Sequence, residues 1–285
     1  MLLATIRYWS MSPAITTDAL RTVLTSQPEL FQDVAANTSL SASFWVNIAL
    51  AGFSILLFIY MGRNVEDPRT QLIFVATMMV PLVSISSYTG LVSGLTVSYV
   101  NVPYPGGGSE EVLLMWGRYL TWALSTPMIL VALGLLAGSN LTKIFTAVVT
   151  DIGMCVTGLA AALTTSSLLL RWFWYVISCA FFVAVLYILL VEWPDDARVA
   201  GTSEIFSTLK TLTVVLWLGY PIFWALGSEG LAFLTTAQTS WAYSILDIGA
   251  KYLFAYLLLR WVAANESIVG DVGSGQLGMG TSADD

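Results

Sequence analysis

Two ionisable residues lie four positions apart in an apolar stretch near the end of the chain, LDIGAKYLFAYLLL. At this spacing Lys251 and Asp247 share one face of a helix, so the carboxylate can reach the ammonium group. A buried ammonium is costly even when it is paired. Its presence is explained if the amine reacts covalently, and a Schiff base with an aldehyde is a reaction typical of lysine. The alternative is an ion pair that only fixes helix packing.

Large aromatic side chains are a second feature of the sequence. Trp217, Tyr220 and Trp224 recur at helical spacing in one apolar run, and Trp122 and Tyr88 lie in two others. Core packing and a belt at the membrane surface are the ordinary explanations for such rings. Trp122 and Trp217 are too deep in their runs for a belt. The pattern therefore favours a long, flat, apolar ligand held between rings.

Positive charge exceeds negative charge among these residues. Lys251 and Arg118 each carry one positive charge and Asp247 carries one negative charge, so the sum is +1. A buried charge without compensation is costly, and a small bound anion would neutralise it. Thr121 and Ser125 lie on the same helical face as Arg118, and their hydroxyls can donate hydrogen bonds to an anion. The alternative is ordinary hydrogen bonding between helices.

The elements that position these residues must lie in a membrane. Of the 285 residues, 57% are hydrophobic and 10% are charged, whereas a soluble protein has about 25% charged residues. Seven apolar runs are each long enough to cross a bilayer as a helix, which satisfies its own backbone hydrogen bonds. The sequence therefore predicts an all-α, seven-transmembrane helix bundle. The runs cover residues 43–62, 70–95, 112–136, 142–165, 168–192, 204–227 and 240–264.

Loop charges and end composition predict the orientation and the domains. Lys and Arg collect on the cytoplasmic side of membrane proteins, and here more of them lie on the side of the C-terminus. We therefore expect an extracellular N-terminal tail over residues 1–40 with at most a short helix in it, a membrane domain over 41–266, and a disordered cytoplasmic tail over 267–285. The basic residues on the C-terminal side are Arg63, Arg69, Lys143, Arg198, Lys210 and Arg260.

Composition also excludes several classes of function. The net charge of −7 argues against nucleic-acid binding, and the absence of His removes His-based catalysis and His-ligated metal or haem. We expect neither an enzyme nor a metal site. Cys155 and Cys179 lie in apolar stretches and are interpreted as small buried hydrophobic residues. Asp151 has no basic partner nearby in the sequence, and we expect it to be hydrogen-bonded to a neighbouring helix.

Several motifs together resemble the microbial (archaeal-type) rhodopsin family, over residues 43–266. The Asp-x-x-x-Lys of the seventh run occurs with WLGYPIFW in the sixth and RYLTWALSTP in the third. Further stretches agree: PLVSISSYTGL, DIGMCVTGLAAALTTS, ISCAFF and TSWAYSILDIGAKY. The resemblance is to the branch of light-driven chloride pumps. It implies an inward chloride (halide) pump in the cell membrane. The alternatives are a retinal-based sensory photoreceptor with a membrane partner, and a retinal-free transporter or structural protein.

The resemblance also implies ligands and site residues. All-trans retinal would be bound to Lys251 as a protonated Schiff base, with Asp247 as counterion and chloride as the transported ion. Membrane lipids, a homotrimer and a carotenoid are the partners that the family suggests. The residues expected around retinal are Trp122, Thr126, Met154, Gly158, Ser178, Trp217, Tyr220 and Trp224. Those expected to bind chloride are Arg118, Thr121 and Ser125, and those expected to serve anion release are Lys210 and Thr213.

The same comparison separates an anion pump from a proton pump. Proton-pumping relatives have an Asp where this chain has Thr121, and a second carboxylate where it has Ala132. Both members of the proton relay are therefore missing. Glu229 matches one carboxylate of the proton-release pair of those relatives, but the other member aligns with Thr239. One carboxylate of the proton-release pair is therefore missing as well.

Overall fold

The computed structural model describes the backbone of residues 17–277 and the side chains of residues 27–272. This part of the chain is almost entirely helical, with one antiparallel hairpin. The helices are α1 (Thr17–Ala36), α2 (Thr38–Gly62), α3 (Pro68–Val92), α4 (Gly117–Leu136), α5 (Leu141–Leu163), α6 (Leu168–Tyr187), α7 (Trp193–Val199), α8 (Ser203–Leu226), α9 (Thr236–Asp247), α10 (Phe254–Ala264) and α11 (Glu266–Leu277). The strands are β1 (Ser98–Pro103) and β2 (Ser109–Leu114), and π-helical turns at Ile188–Glu192 and Ile248–Leu253 join α6 to α7 and α9 to α10.

Seven helical segments within residues 17–277 are long and apolar enough to cross a membrane. They are α2, α3, α4, α5, the continuous segment Leu168–Val199, α8 and the continuous segment Thr236–Ala264. Each has at least the 20 or so residues that a bilayer requires. The predicted all-α architecture and the number of spans are confirmed.

Three span boundaries differ from those predicted by five residues or more. The first span begins at Thr38, because the Asn37 side chain accepts a hydrogen bond from the Leu40 N–H and caps the helix. The third span begins at Gly117 rather than at residue 112, since the preceding residues form a strand. The fifth span continues to Val199, where the completely buried Trp193 packs in the core beyond the expected end at residue 192.

The connection between α3 and α4 is a β-hairpin, although the sequence predicts only a loop there. Ser98 pairs with Leu114 and Pro103 with Ser109, so the two strands are in register along their full length. The three glycines at residues 106–108 have φ of 98°, 91° and 96°, a region that side chains disfavour, and they make the tight turn possible. One face of the hairpin is buried through Val102 and Leu114.

Both ends of the described chain are more ordered than the composition predicts. Residues 1–40 are expected to form a tail, but α1 runs to Ala36 and α2 starts at Thr38. Val34 on α1 is completely buried, and the Gln27 side chain donates a 2.5 Å hydrogen bond to the Ser93 carbonyl. Residues 1–16 and 278–285 lie outside the described part, so the predictions for them stay predictions.

The disorder predicted from residue 267 is wrong for the segment that forms α11. The Glu266 carboxylate accepts hydrogen bonds from the backbone N–H groups of Glu66 and Asp67, just before α3. Val269 is buried in the main hydrophobic core. A Gly- and Ser-rich composition predicts disorder only when a segment has nothing to pack against. Here the ordering contacts come from a loop about 200 residues away in the sequence.

Consecutive spans pack side by side, as short connections require. The first span, α2, also packs against α9 and α10 of the last span, which closes the bundle. Arg118, Ser125, Asp247 and Lys251 are all buried. The candidate site thus lies inside the bundle, away from lipid.

Candidate functional site

Lys251 and Asp247 form a buried ion pair in the last span. The Lys251 Nζ lies 2.9 Å from the Asp247 Oδ2, and the two side chains are 1% and 3% exposed. Lys251 belongs to the π-helical turn that follows Asp247, and such turns occur frequently at functional sites. The structure thus confirms that the two charged groups predicted to share a helix face are in contact.

Two tyrosine hydroxyls hold the carboxylate of Asp247. Tyr220 on α8 donates a 2.6 Å hydrogen bond to Oδ1, and Tyr88 on α3 donates a 2.7 Å bond to Oδ2. The sequence pattern indicates only aromatic rings at these two positions. An ionised carboxylate has several acceptor sites and needs donors when it is buried. A buried Asp in the sequence therefore predicts hydrogen-bond donors around its carboxylate, but it does not identify the residues that supply them.

Arg118 lies near this pair at the start of α4, buried among aromatic rings. Its Cζ is 5.5 Å from the ring centre of Phe44, 5.7 Å from that of Tyr88 and 5.3 Å from that of Tyr243. Its Nη2 donates a 2.6 Å hydrogen bond to the Ser240 Oγ. Its Nε is buried and has no partner among the described residues. One N–H donor of the charged guanidinium is therefore buried without an acceptor among the described residues.

Thr121 and Ser125 follow Arg118 on the same helix, as predicted. The Thr121 hydroxyl donates to the Gly117 carbonyl at 2.9 Å and is in a close hydrogen bond with the Ser87 hydroxyl on α3. Ser125 is completely buried, and its hydroxyl has no partner within the described residues. Ser87 was not predicted from the sequence. Thr121 is thus bonded between helices, whereas Ser125 has a free donor.

An apolar cavity lies among α4, α5, α6 and α8, and the space between the helices of a bundle is a common place for small-molecule sites. All eight residues predicted to surround a flat ligand line it: Trp122, Thr126, Met154, Gly158, Ser178, Trp217, Tyr220 and Trp224. The lining residues that are not predicted from the sequence are Tyr119, Cys155, Tyr175, Cys179, Phe182 and Pro221. Helical spacing could have found five of them, because all except Cys179 lie three or four residues from a predicted residue.

The rings of the cavity wall contact one another in fixed geometries. Trp122 meets Tyr220 edge to face with centres 5.5 Å apart, and Tyr175 stacks on Trp224 at 4.8 Å. Lys251 is not among the lining residues. Tyr220 connects the two features, since its ring lines the cavity while its hydroxyl binds Asp247.

Asp151 on α5 is completely buried beside this cavity. Its Oδ2 accepts a 2.6 Å hydrogen bond from the Thr126 hydroxyl on α4, and its Oδ1 has no partner in the described part of the chain. The predicted hydrogen bond to a neighbouring helix is therefore confirmed. Cys155 and Cys179 are free thiols, the first buried and the second half-buried.

The comparisons with known proteins agree with this geometry. The family described as "Bacteriorhodopsin-like protein" matches residues 38–265, from the start of the first span to the end of the last. This chain belongs to that family. A halorhodopsin of Halobacterium sp. (strain SG1) is 74% identical over 257 residues, which is 90% of this chain and 90% of that relative.

Solved structures of halorhodopsins also have a fold similar to that of this chain. One described as "a light-driven chloride pump" has 62% identity and a TM-score of 0.80, and the match covers 82% of this chain and 99% of that one. The bromide-bound form from Halobacterium salinarum has 61% identity and a TM-score of 0.80, with coverages of 84% and 99%. The resemblance inferred from the motifs is therefore confirmed.

At the other end of the bundle, α8 carries the two residues predicted to serve anion release, Lys210 and Thr213. The Thr213 hydroxyl is buried without a partner within residues 27–272. Lys210 is half-buried one turn earlier on the same helix. The structure thus brings these two residues together on one helix, and it gives neither of them a bonded contact to the Lys251–Asp247 pair.

Glu229 lies beyond the end of α8 and is largely buried. It accepts a close hydrogen bond from the Tyr119 hydroxyl, which in turn accepts a 2.7 Å bond from the Trp224 Nε1. Burial raises the pKa of Glu229 above its ordinary value, against the opposing effects of Tyr119 and Arg171. The neutral form of this carboxyl group is therefore favoured more than it is in an ordinary glutamate.

Proposed function

We propose that this chain is a light-driven inward chloride pump that binds all-trans retinal covalently through the Lys251 nitrogen. The observation that carries the proposal is the unbalanced charge inside the bundle. Lys251 and Arg118 face one ionised partner, Asp247, and the Arg118 Nε has no protein acceptor in the described part of the chain. A small anion supplies the missing negative charge.

The aromatic cavity supports retinal as the bound group. Its wall is apolar and built largely from rings, and the buried Lys251 amine shares the Asp247 carboxylate with the Tyr220 of that wall. Trp122, Trp217 and Trp224 would hold the apolar chain of the ligand. When bound, retinal would supply absorption of visible light and a light-induced change of shape at the Lys251 nitrogen.

The carboxylate of Asp247 would stay in place throughout transport. Tyr88 and Tyr220 donate to its two oxygens from two different helices, so it is held from both sides. It orients the Lys251 nitrogen and neutralises one positive charge. Because Asp247 cannot move with the transported ion, the mobile negative charge must be the anion.

Arg118, Ser125 and Thr121 would form the outer anion site. The unpartnered hydroxyl of Ser125 can donate to chloride, and the guanidinium of Arg118 supplies a charge that is not neutralised by a carboxylate. Thr121 completes the site through its bonded pair with Ser87. With Thr121 and Ala132 in place of two carboxylates, the chain has no residue at these positions to accept or donate a proton.

Thr213 and Lys210 would form the inner exit. The buried Thr213 hydroxyl is free to donate, and Lys210 on the next turn attracts an anion towards the cytoplasm. Inward movement of one negative charge against an inside-negative potential requires about 2.3 kcal/mol per 100 mV. The difference in anion affinity between the outer and inner sites in the light-driven state must exceed this amount.

This function requires a defined orientation in the membrane. We infer that the N-terminus is outside and the C-terminus is cytoplasmic, because basic residues such as Arg63, Lys143 and Arg198 lie on the side of the C-terminus. The homotrimer and the carotenoid stay predictions. The sensory alternative draws no support from the relatives named above, which are described as halorhodopsins.

Illumination of cells that express the chain tests the proposal. With a protonophore present, inward chloride transport makes the interior more negative and increases passive proton uptake, so the medium becomes more alkaline. Lys251→Ala should abolish both this signal and the visible absorption. Lys143→Ala is the matched control, since that lysine pairs with Asp196 away from the site and its loss should preserve colour.

Three results would overturn the function. A light signal that collapses when the protonophore is added indicates a proton pump. A coloured protein with slow recovery after a flash and no steady transport indicates a sensory receptor. A purified protein that stays colourless with all-trans retinal would leave Lys251 and Asp247 as an ion pair only.

A further inference from the structure

The guanidinium of Arg118 is held by a hydroxyl rather than by a carboxylate. Within residues 27–272, no Asp or Glu oxygen forms an ion pair with it. Its short hydrogen bond goes instead to Ser240 on α9, 2.6 Å from Nη2, and Ser240 is completely buried. The neutral partner fixes the position of Arg118 and leaves its charge uncompensated.

The hydroxyls behind Ser240 are ordered in one direction. The Ser43 hydroxyl on α2 donates to the Leu40 carbonyl at 2.7 Å, so its oxygen must accept from Ser240, 2.6 Å away. The Ser240 hydrogen is thereby used, and its oxygen faces Arg118 as an acceptor. The chain of donors runs from Arg118 through Ser240 and Ser43 to a backbone carbonyl. Hydrogen bonds in such a chain strengthen one another.

Arg118 Nη2 also has a long 3.8 Å contact with the Met115 Sδ, which is a weak acceptor, and the other described contacts of Arg118 are aromatic. The rings of Phe44, Tyr88 and Tyr243 each lie within 6 Å of Cζ, which favours the cation but gives no directional bond. Ser240 is therefore the directional contact that decides which edge of the guanidinium is used. Nη2 is bonded to it, while Nε stays unpartnered in the described structure and available to a ligand.

We propose that Ser240, braced by Ser43, is a positioning residue for anion binding. It presents Arg118 to the anion and keeps the site positively charged. This inference rests on the proposed function, in which Arg118 binds chloride.

Chloride titration of the purified, retinal-bound protein tests this role, with the absorption maximum as the signal. Ser240→Ala should raise the chloride Kd about tenfold, the equivalent of about 1.4 kcal/mol, because Arg118 loses its directional contact. Ser244→Ala is the matched control. Ser244 lies one turn later on α9 and bonds to Asn47 and to the Ser43 carbonyl, but it does not contact Arg118. Its Kd should equal that of the wild type.

Two further variants separate positioning from general stability. Ser240→Thr keeps the hydroxyl and should restore the wild-type Kd. Ser240→Asp supplies a negative charge to Arg118 and should abolish the chloride-dependent shift while the protein stays coloured. These two results decide the matter even if Ser240→Ala does not fold.

The outcomes distinguish this inference from the proposed function. If the wild-type absorption maximum does not respond to chloride, the function itself fails. If the wild type responds and Ser240→Ala or Ser240→Asp binds chloride with the same Kd, only the role of Ser240 is overturned. An equal loss of affinity in Ser240→Ala and Ser244→Ala would also overturn it, since the effect would then belong to helix packing.

Discussion

Hydroxyl groups, rather than opposite charges, satisfy most buried charged or carboxyl groups of this site. Asp247 receives hydrogen bonds from two tyrosines, Asp151 from Thr126, and Arg118 donates to Ser240. A hydroxyl provides a hydrogen bond without changing the net charge. The residue chemistry thus preserves the positive excess that an anion requires, at a place where a second carboxylate would cancel it.

At this scale we predict the effect of removing the donor to Asp151. Thr126→Val keeps the size of the side chain but leaves both oxygens of Asp151 without a partner among the described residues, so the protein should lose about 1–3 kcal/mol of stability. The midpoint temperature of thermal bleaching measures the loss. Thr146→Val is the control, because Thr146 is exposed and bonds only to its own helix. Equal midpoints for the two variants would contradict the prediction.

At the scale of elements, side-chain caps and one distant carboxylate decide where helices begin. Asn140, Ser167 and Thr235 each accept a backbone N–H at the start of α5, α6 and α9. The N-terminal end of α3 has Asp67 as its cap and, in addition, Glu266 from α11. A carboxylate at a helix N-terminus is favourable. The last helix, α11, is therefore hydrogen-bonded to the loop that precedes the second span.

We expect Glu266→Ala to remove the hydrogen bonds between α11 and this loop. The N–H groups of Glu66 and Asp67 lose a charged acceptor, so their exchange with solvent deuterium should become at least about tenfold faster. Hydrogen exchange followed by mass spectrometry of the α2–α3 loop checks this. In Glu204→Ala, an exposed glutamate on α8, exchange in that loop should be unchanged. Unchanged exchange in Glu266→Ala would show that α11 is held by apolar packing alone.

At the scale of the whole molecule, buried polar contacts tie the loop after α8 to the bundle. The Arg171 Nε donates a 2.7 Å hydrogen bond to the Glu229 carbonyl, and the Tyr104 hydroxyl donates one of the same length to the Ser228 carbonyl. The Glu229 side chain joins this loop to α4 through Tyr119. The loop, the hairpin, α4 and α6 therefore share one small network.

Global stability should consequently depend on the protonation of Glu229. Burial raises its pKa, so above the ordinary pKa of a glutamate the folded protein still holds a proton that the unfolded chain has released. Stability then falls as pH rises from that ordinary value through the raised one. Thermal midpoints measured across this range should decline less in Glu229→Gln than in the wild type. Glu111→Gln, on the exposed face of the hairpin, should follow the wild type.

Sequence patterns within single segments predict the number of spans and much of the candidate site. Apolar length indicated seven spans, and the four-residue spacing of Asp247 and Lys251 indicated their contact, because a helix fixes which of its own residues share a face. Motifs matching a known family indicated the eight predicted residues of the cavity wall. These inferences succeed because the relevant geometry lies within a helix or is preserved throughout a family.

Contacts between distant segments were decided only by the tertiary structure. Tyr88 and Asp247 are 159 positions apart, and Arg118 and Ser240 are 122 apart, so no local spacing connects them. Composition misjudged α11 for the same reason, since its order depends on contacts with the loop before α3. A helix face is set by the backbone of its own segment, whereas the partner of a hydroxyl is set by the packing of whole helices.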